Sequence, residues 1–315
     1  MMEIKLLDGG FGSQIGKRIN RTIDDDVLWS ARLLSTNKAE VINTHLDFLQ
    51  AGANIISTNT YQASIDGFVK YLNLSERESY DLIKEAVGLA RKAISIYKSR
   101  NNIENTNILV AGSVGPYGAF LHDGSEYTGN YKDSISSSIL NEWHKPRISA
   151  LIEGGIDLLA FETIPCEKEA VVLLSILKEF PNMKAWLSFN CKDGKSIASG
   201  EAFQETLKKC YKMNPNQLLA VGANCIAPEI VEQLFCDINM GEGNPMPLLV
   251  YPNSGEFYNK EVGWHGGVKG KSVENYVESW LNMGITWIGG CCRMYAENIS
   301  KIGEVILKWR MQHSK

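Results

Sequence analysis

Eight short apolar runs alternate with longer amphipathic stretches along a chain of 315 residues. The runs fall at 4–9, 54–60, 108–114, 157–163, 185–190, 219–225, 247–253 and 285–290. They are continuously apolar rather than alternating, which belongs to parallel strands buried on both faces. The stretches between them predict helices near 38–52, 76–99, 135–154, 167–179, 201–213, 228–239, 271–283 and 295–311. Thr36-Asn37 precedes the first helix, and Ser75-Glu76-Arg77-Glu78 reads as a capping box. Gly52, Gly154 and Gly284 follow their helices as C-cap glycines would. Eight such units predict a single (β/α)8 TIM-type barrel over residues 1–315. The other arrangement is an open doubly wound sheet. Its nucleotide signature is missing, because Asp8-Gly9-Gly10-Phe11-Gly12 lacks the G-x-G-x-x-G spacing.

Hydrophobic residues make up 44% and charged residues 22%, as in an ordinary soluble enzyme. A formal net charge of −4 leaves no basic excess for phosphates, so no nucleic acid partner is expected. No run reaches the roughly 18 apolar residues of a membrane span, and the N-terminus does not read as a secretory signal. The seven cysteines form no dense framework, which predicts a reducing, cytoplasmic setting.

Active sites of such barrels gather at the C-terminal ends of the strands. Polar residues collect there in this sequence: Asp8, Thr58-Asn59-Thr60, Ser113, Glu162-Thr163, Asn190, Asn224-Cys225, Asn253 and Cys291-Cys292. Two strand ends thus deliver three thiols, Cys225, Cys291 and Cys292. Three thiolates suit a tetrahedral zinc ion whose fourth position is left for substrate. Cys225 and Cys291 stand 66 residues apart, far from the spacing of a zinc finger. Gly289 and Gly290 allow the backbone to crowd at the cysteine pair.

The opposing reading is packing. A free cysteine is ordinarily a small buried hydrophobe, and Cys166, Cys191, Cys210 and Cys236 read that way. Asp8 and Glu162 would face one mouth and could hold an α-ammonium group; Asp8 could also be a turn residue before Gly9-Gly10. His45 and His144 fall in helical stretches and read as surface or structural, whereas His265 falls in a loop that could reach the mouth.

Gly-Gly-Cys-Cys (289–292), Asn-Cys (224–225), Leu-Asp-Gly-Gly (7–10) and Phe-Glu-Thr-Ile-Pro (161–165) resemble the zinc-dependent homocysteine S-methyltransferases. Residues 53–64 and 112–119 are similar too, and the likeness runs from about residue 6 to residue 307. It implies a homocysteine-binding barrel with Zn2+ on Cys225, Cys291 and Cys292. It implies that Asp8 and Glu162 bind the homocysteine amino group, with Gly9 and neighbouring amides near the carboxylate. Asn59 and Tyr61 join the substrate-binding set.

The family divides by methyl donor. One branch uses betaine and another a folate domain, while short single chains use S-methylmethionine or S-adenosylmethionine. Tyr61-Gln62 resembles the sulfonium-using branch. The implied reaction is methyl transfer from a sulfonium to homocysteine thiolate, giving methionine. Tyr61 and Tyr117 could hold the sulfonium by cation–π contact, or simply pack. The alternatives are betaine-dependent methylation and a non-enzymatic thiol- or metal-binding barrel. A Schiff-base enzyme would want a lysine at a strand end, and none of the eight ends has one.

Overall fold

The computed structural model describes residues 3–104, 106–241, 243–259, 263–265 and 271–313. The chain starts with β1 (Lys5–Leu6), α1 (Phe11–Ile19), a 3-10 turn at Trp29–Arg32, α2 (Leu33–Thr36) and α3 (Lys38–Gln50). Next come β2 (Ile55–Ser57), α4 (Ile65–Leu72), α5 (Glu76–Asn101), β3 (Leu109–Val114), α6 (Tyr117–Leu121) and α7 (Ser137–Gly154). The second half runs β4 (Leu158–Ile164), α8 (Glu167–Lys178), β5 (Lys184–Phe189), α9 (Phe203–Met213), β6 (Leu218–Asn224) and α10 (Val231–Phe235). It ends with β7 (Leu248–Tyr251), β8 (Phe257–Asn259), β9 (Gly263–His265), α11 (Val277–Asn282), β10 (Ile285–Ile288) and α12 (Ala296–His313).

Eight parallel strands pair in the order β1-β10-β7-β6-β5-β4-β3-β2, with helices alternating between them. The ring closes through one bridge between Leu7 and Ile55. There the Asp8 N–H donates to the Ile55 carbonyl at 3.1 Å. This is the predicted (β/α)8 barrel. The double-sided apolar runs are explained by two cores. Leu7, Ile55, Leu158, Trp186, Leu249 and Trp287 fill the interior of the ring. Their neighbours Ile56, Leu159, Leu187 and Val250 point outward against the helices.

The capping signals hold at most ends. The Asn37 side chain caps α3, and Ser75 with Glu78 forms the full capping box of α5. Gly52 and Gly284 take φ of +97° and +85°. At α7 the left-handed cap is Gly155 (φ +86°) rather than Gly154. Gly154 ends the helix against Val87, where a Cβ would come within 2.7 Å. The helices expected at 228–239 and 271–283 are shorter: 3-10 turns at Pro228–Ile230 and Val273–Asn275 lead into α10 and α11.

His45 and His144 are not at the surface; both are fully buried. Burial pushes His45 down to about 3 and also lowers His144, so both imidazoles are neutral. His265 lies in a strand, not a loop: β9 pairs antiparallel with β8, and the His265 side chain lies outside the described residues. Among the described residues no helix is long and apolar enough to cross a membrane.

Candidate active site

The strand ends are sharply kinked where chemistry was expected. Thr163, Cys225 and Arg293 take φ of +59°, +53° and +62°. Left-handed backbone is uncommon outside glycine and an outlier for a β-branched residue, and such strain gathers at functional sites. The seam between the first and last barrel strands admits no side chain. A Cβ on Gly10 would sit 2.3 Å from the Cys291 carbonyl, and one on Gly289 would sit 2.5 Å from the Leu7 Cβ. The glycines therefore relieve crowding between strands more than crowding between the cysteines themselves.

The three thiols converge. Cys225 Sγ lies 3.6 Å from Cys292 Sγ, and Cys291 Sγ lies 4.0 Å from Cys292 Sγ. A disulfide would require about 2.05 Å, and all seven cysteines are free. Sulfurs at about 2.3 Å from a tetrahedral ion stand about 3.8 Å apart. The cluster therefore fits a thiolate-ligated metal. Among the described residues it is the group of His, Cys, Asp and Glu side chains whose ligand atoms, all within 4.8 Å, could hold one. The thiols are electrostatically one unit: donation from Cys291 and then Cys292 lowers Cys225, and both donors are themselves held protonated. Asn224 Nδ2 stands 3.8 Å from Cys291 Sγ, and the Tyr127 hydroxyl 3.9 Å from Cys225 Sγ.

Asp8 and Glu162 line the same cavity as the thiols. Asp8 accepts from the Ser57 N–H at 2.6 Å and the Ser57 hydroxyl at 3.2 Å. Glu162 accepts from the Ser113 hydroxyl and, at 3.2 Å, from the Tyr251 hydroxyl. Burial is the main force pushing Asp8 up to about 8 and Glu162 up to about 7. Asp8 also feels the negative charge of Glu162. The described lining contains Asp8, Glu162 and Asp24 but no lysine, arginine or histidine.

The remaining expectations divide. Gly9 lines the cavity beside the start of α1, whose first turn has no capping side chain and contributes Phe11, Gly12 and Ser13 to the lining. Tyr61 also lines it, with its ring stacked at 5.9 Å on Trp29. Asn59 reaches the lining, but its amide is committed to Ser30, donating to the carbonyl at 2.8 Å and accepting from the hydroxyl at 2.5 Å. Tyr117 does not belong to the mouth; it faces an outer cleft with Tyr80 and Trp143. Of the expected strand-end residues, Asn190 donates to the Cys225 carbonyl at 2.9 Å and Asn253 accepts from the Gly255 N–H at 3.1 Å. Cys166, Cys191 and Cys210 are buried packing residues, as expected, whereas Cys236 is exposed.

Among the lining residues that escaped the sequence are Asp24, Trp29, Tyr127 and Tyr251. Tyr251 ends a strand run, and that position was its signal. Asp24 sits on a loop and Trp29 and Tyr127 on short 3-10 turns between the helices, and α1 itself, with glycines at positions 12 and 16, carried no strong helical signal.

Comparison with known proteins gives one answer. The sequence pattern of the family described as homocysteine S-methyltransferase matches residues 5–306. A betaine-homocysteine S-methyltransferase of Drosophila melanogaster is 44% identical, over 95% of this chain and 92% of that one. Homocysteine S-methyltransferase 2 of Arabidopsis thaliana is 38% identical, over 97% and 93%. The metallated crystal structure of the homocysteine methyltransferase MmuM from Escherichia coli superposes with a TM-score of 0.83 at 36% identity, covering 96% of each chain.

Proposed function

Since the chain belongs to the homocysteine S-methyltransferase family, we propose that it transfers a methyl group from a sulfonium, S-methylmethionine or S-adenosylmethionine, to homocysteine and forms methionine. One barrel domain spanning the chain would carry the reaction, with zinc on Cys225, Cys291 and Cys292. Free thiols call for a reducing compartment, so the cytoplasm is the proposed location.

The observation that carries the donor class is the charge of the cavity: three carboxylates and no cation among the described lining residues. The homocysteine ammonium would neutralise part of the Asp8–Glu162 pair. Its carboxylate would meet the uncapped amides at the start of α1. A sulfonium amino acid then brings one net positive charge toward Asp24. Betaine has no net charge, and its carboxylate would find no cation in the described lining. The Drosophila relative's name favours betaine as the second reading. The aromatic pair Trp29–Tyr61 would suit either onium group.

Zinc held by the three thiols would keep the homocysteine sulfur ionised at neutral pH. The residues do the rest. Asp8, Glu162 and the α1 amides fix the amino-acid head, and Trp29, Tyr61 and Tyr127 surround the onium centre. The barrel mouth would place the homocysteine sulfur about 3–3.5 Å from the methyl carbon, in line with the C–S bond to the leaving sulfur. The homocysteine sulfur forms the new C–S bond as the old one breaks. The bonding pair stays on the donor sulfur, which departs as a neutral thioether, so no general acid is required.

The test is methionine formation by purified protein offered homocysteine with S-methylmethionine, S-adenosylmethionine or betaine, each with and without a zinc chelator. Chelator-sensitive turnover with a sulfonium supports the proposal. Turnover with betaine alone establishes the second reading, and none with zinc-loaded protein overturns both.

A further inference from the structure

We infer that Asn224 is a positioning residue that locks the thiol cluster to the carboxylate side of the cavity. The inference rests on the proposed metal role of the three cysteines. Asn224 is completely buried at the end of β6, one residue before Cys225. Its Oδ1 accepts from the Thr163 N–H at 2.7 Å and from the Ser188 hydroxyl at 2.8 Å. Its Nδ2 donates to Thr163 Oγ1 at 2.8 Å and stands 3.8 Å from Cys291 Sγ.

The orientation of this amide is fixed by chemistry. A backbone N–H can only donate, so the atom facing Thr163 N must be the oxygen. The amino group is therefore the end directed at Cys291. One side chain thus grips the strained residue after Glu162 at two points and offers a hydrogen bond to a thiol of the cluster. The polar chain continues toward the carboxylate: the Ser188 and Tyr251 hydroxyls lie 2.7 Å apart and the Tyr251 hydroxyl lies 3.2 Å from Glu162, and with the Ser188 proton on Asn224 the single Tyr251 proton serves either Ser188 or Glu162. Thiol and carboxylate belong to one buried network. Its length fixes the span between the sulfur-binding and ammonium-binding ends of an amino-acid thiol. Hydrogen bonds to a ligand atom also tune its basicity toward a metal, and their loss weakens metal affinity by about 10–100-fold.

The test uses full-length protein loaded with cobalt(II), whose sulfur-to-metal charge-transfer band reports on thiolate hydrogen bonding. Asn224→Asp keeps the shape but loses the amino donor. It is expected to weaken metal affinity, measured by chelator competition, by about 10–100-fold and to move the band. Thr163→Val removes the Oγ1 anchor of the Asn224 amino group together with the Thr163 hydrogen bond to Tyr61, and leaves the Asn224 contact with Cys291 in place. It is expected to leave the band in place while raising the homocysteine dissociation constant. A merely structural Asn224 would change folding stability without moving the band. Wild-type affinity and band in a folded Asn224→Asp protein would overturn the inference. If that variant does not fold, cadmium-113-loaded wild-type protein carries the test: a through-bond correlation between the Asn224 amide protons and the metal supports the contact, and its absence overturns it. Failure of wild-type protein to bind any metal would instead sink the zinc reading on which the inference stands.

Discussion

The guanidinium of Arg147 and the carbonyl of Tyr61 meet at 3.0 Å, so a helix of the outer ring holds an aromatic residue of the mouth. Arg147 also donates to the carbonyls of Thr60 at 3.3 Å and Gly115 at 3.2 Å, and it stacks on Trp143 at 4.8 Å. Burial pulls it down to about 10, which still leaves it charged at neutral pH. Among the described residues no carboxylate lies within ion-pair distance of it.

Arg147→Met should therefore leave the Tyr61 and Gly115 carbonyls without their donor, at a cost of about 1–3 kcal/mol for each one that stays buried, while the Thr60 carbonyl keeps the Ala63 N–H. Chemical denaturation should show a loss of about 2 kcal/mol or more. In protein still folded, the donor KM should rise more than the homocysteine KM. Arg147→Lys should recover only part of the loss, because an ammonium cannot span the same fork of acceptors. Equal effects on both substrates would show that Arg147 does not act through Tyr61.

Asp8 and Glu162 make the empty site sensitive to pH. Their ordinary values of 3.8 and 4.5 are raised to about 8 and about 7. A raised carboxyl contributes stability that is complete below its unfolded value and is lost as pH climbs through the folded one. Between about pH 4 and 8 these two groups thus erode the stability of the ligand-free protein. Asp8→Asn removes one of them, so relative to wild type it should be more stable at pH 8.5 than it is at pH 5. His45 and His144 act in the opposite sense at low pH, but they cancel in this difference. An identical difference at both pH values would contradict the assignment.

Metal removal should reach the whole fold, since two strand ends meet at the thiols. Zinc at a hundredfold excess over its dissociation constant stabilises by about 2.7 kcal/mol. Chelation should lower Tm by the corresponding amount in wild type and leave Cys291→Ser unchanged, and Cys291→Ser should have lost both zinc and turnover. Cys236→Ser, at an exposed thiol outside the cluster, should match wild type in zinc content and rate. A zinc-free Cys291→Ser protein with full activity would end the metal hypothesis.

Asp24 offers a finer test of donor recognition. It lines the cavity from an exposed loop position, where solvent limits a charge contact to about 0.2–1 kcal/mol. Asp24→Asn should raise the KM for S-methylmethionine by roughly 1.5- to fivefold. It should leave the KM for homocysteine and for dimethylsulfoniopropionate, a sulfonium without an ammonium group, as they are. A uniform rise across all three would point to loop distortion instead.

The barrel was legible because both faces of every strand are buried, and that produces a pattern no loop mimics. Cys225, Cys291 and Cys292 were legible because strand ends are where such folds do chemistry. Tyr117 misled because a residue just after a strand can turn outward; here it packs on Trp143 at 5.1 Å. Trp29 and Tyr127 left no trace, since the short 3-10 turns that carry them reach the mouth through tertiary contacts alone. Asn59 shows a third limit: its position was right, but only coordinates reveal that Ser30 uses its amide.

The kinks at Thr163, Cys225 and Arg293 have a consequence for directed evolution. Selection for heat tolerance favours residues that relax left-handed backbone, glycine or asparagine above all. At position 225 such a change deletes a thiol of the cluster. At 163 it deletes the hydroxyl that meets Asn224. Only at 293 does it release a side chain paired outside the cavity, with Glu256. Lineages bred for hardiness and lineages bred for turnover would part company at the first two positions and could share the third.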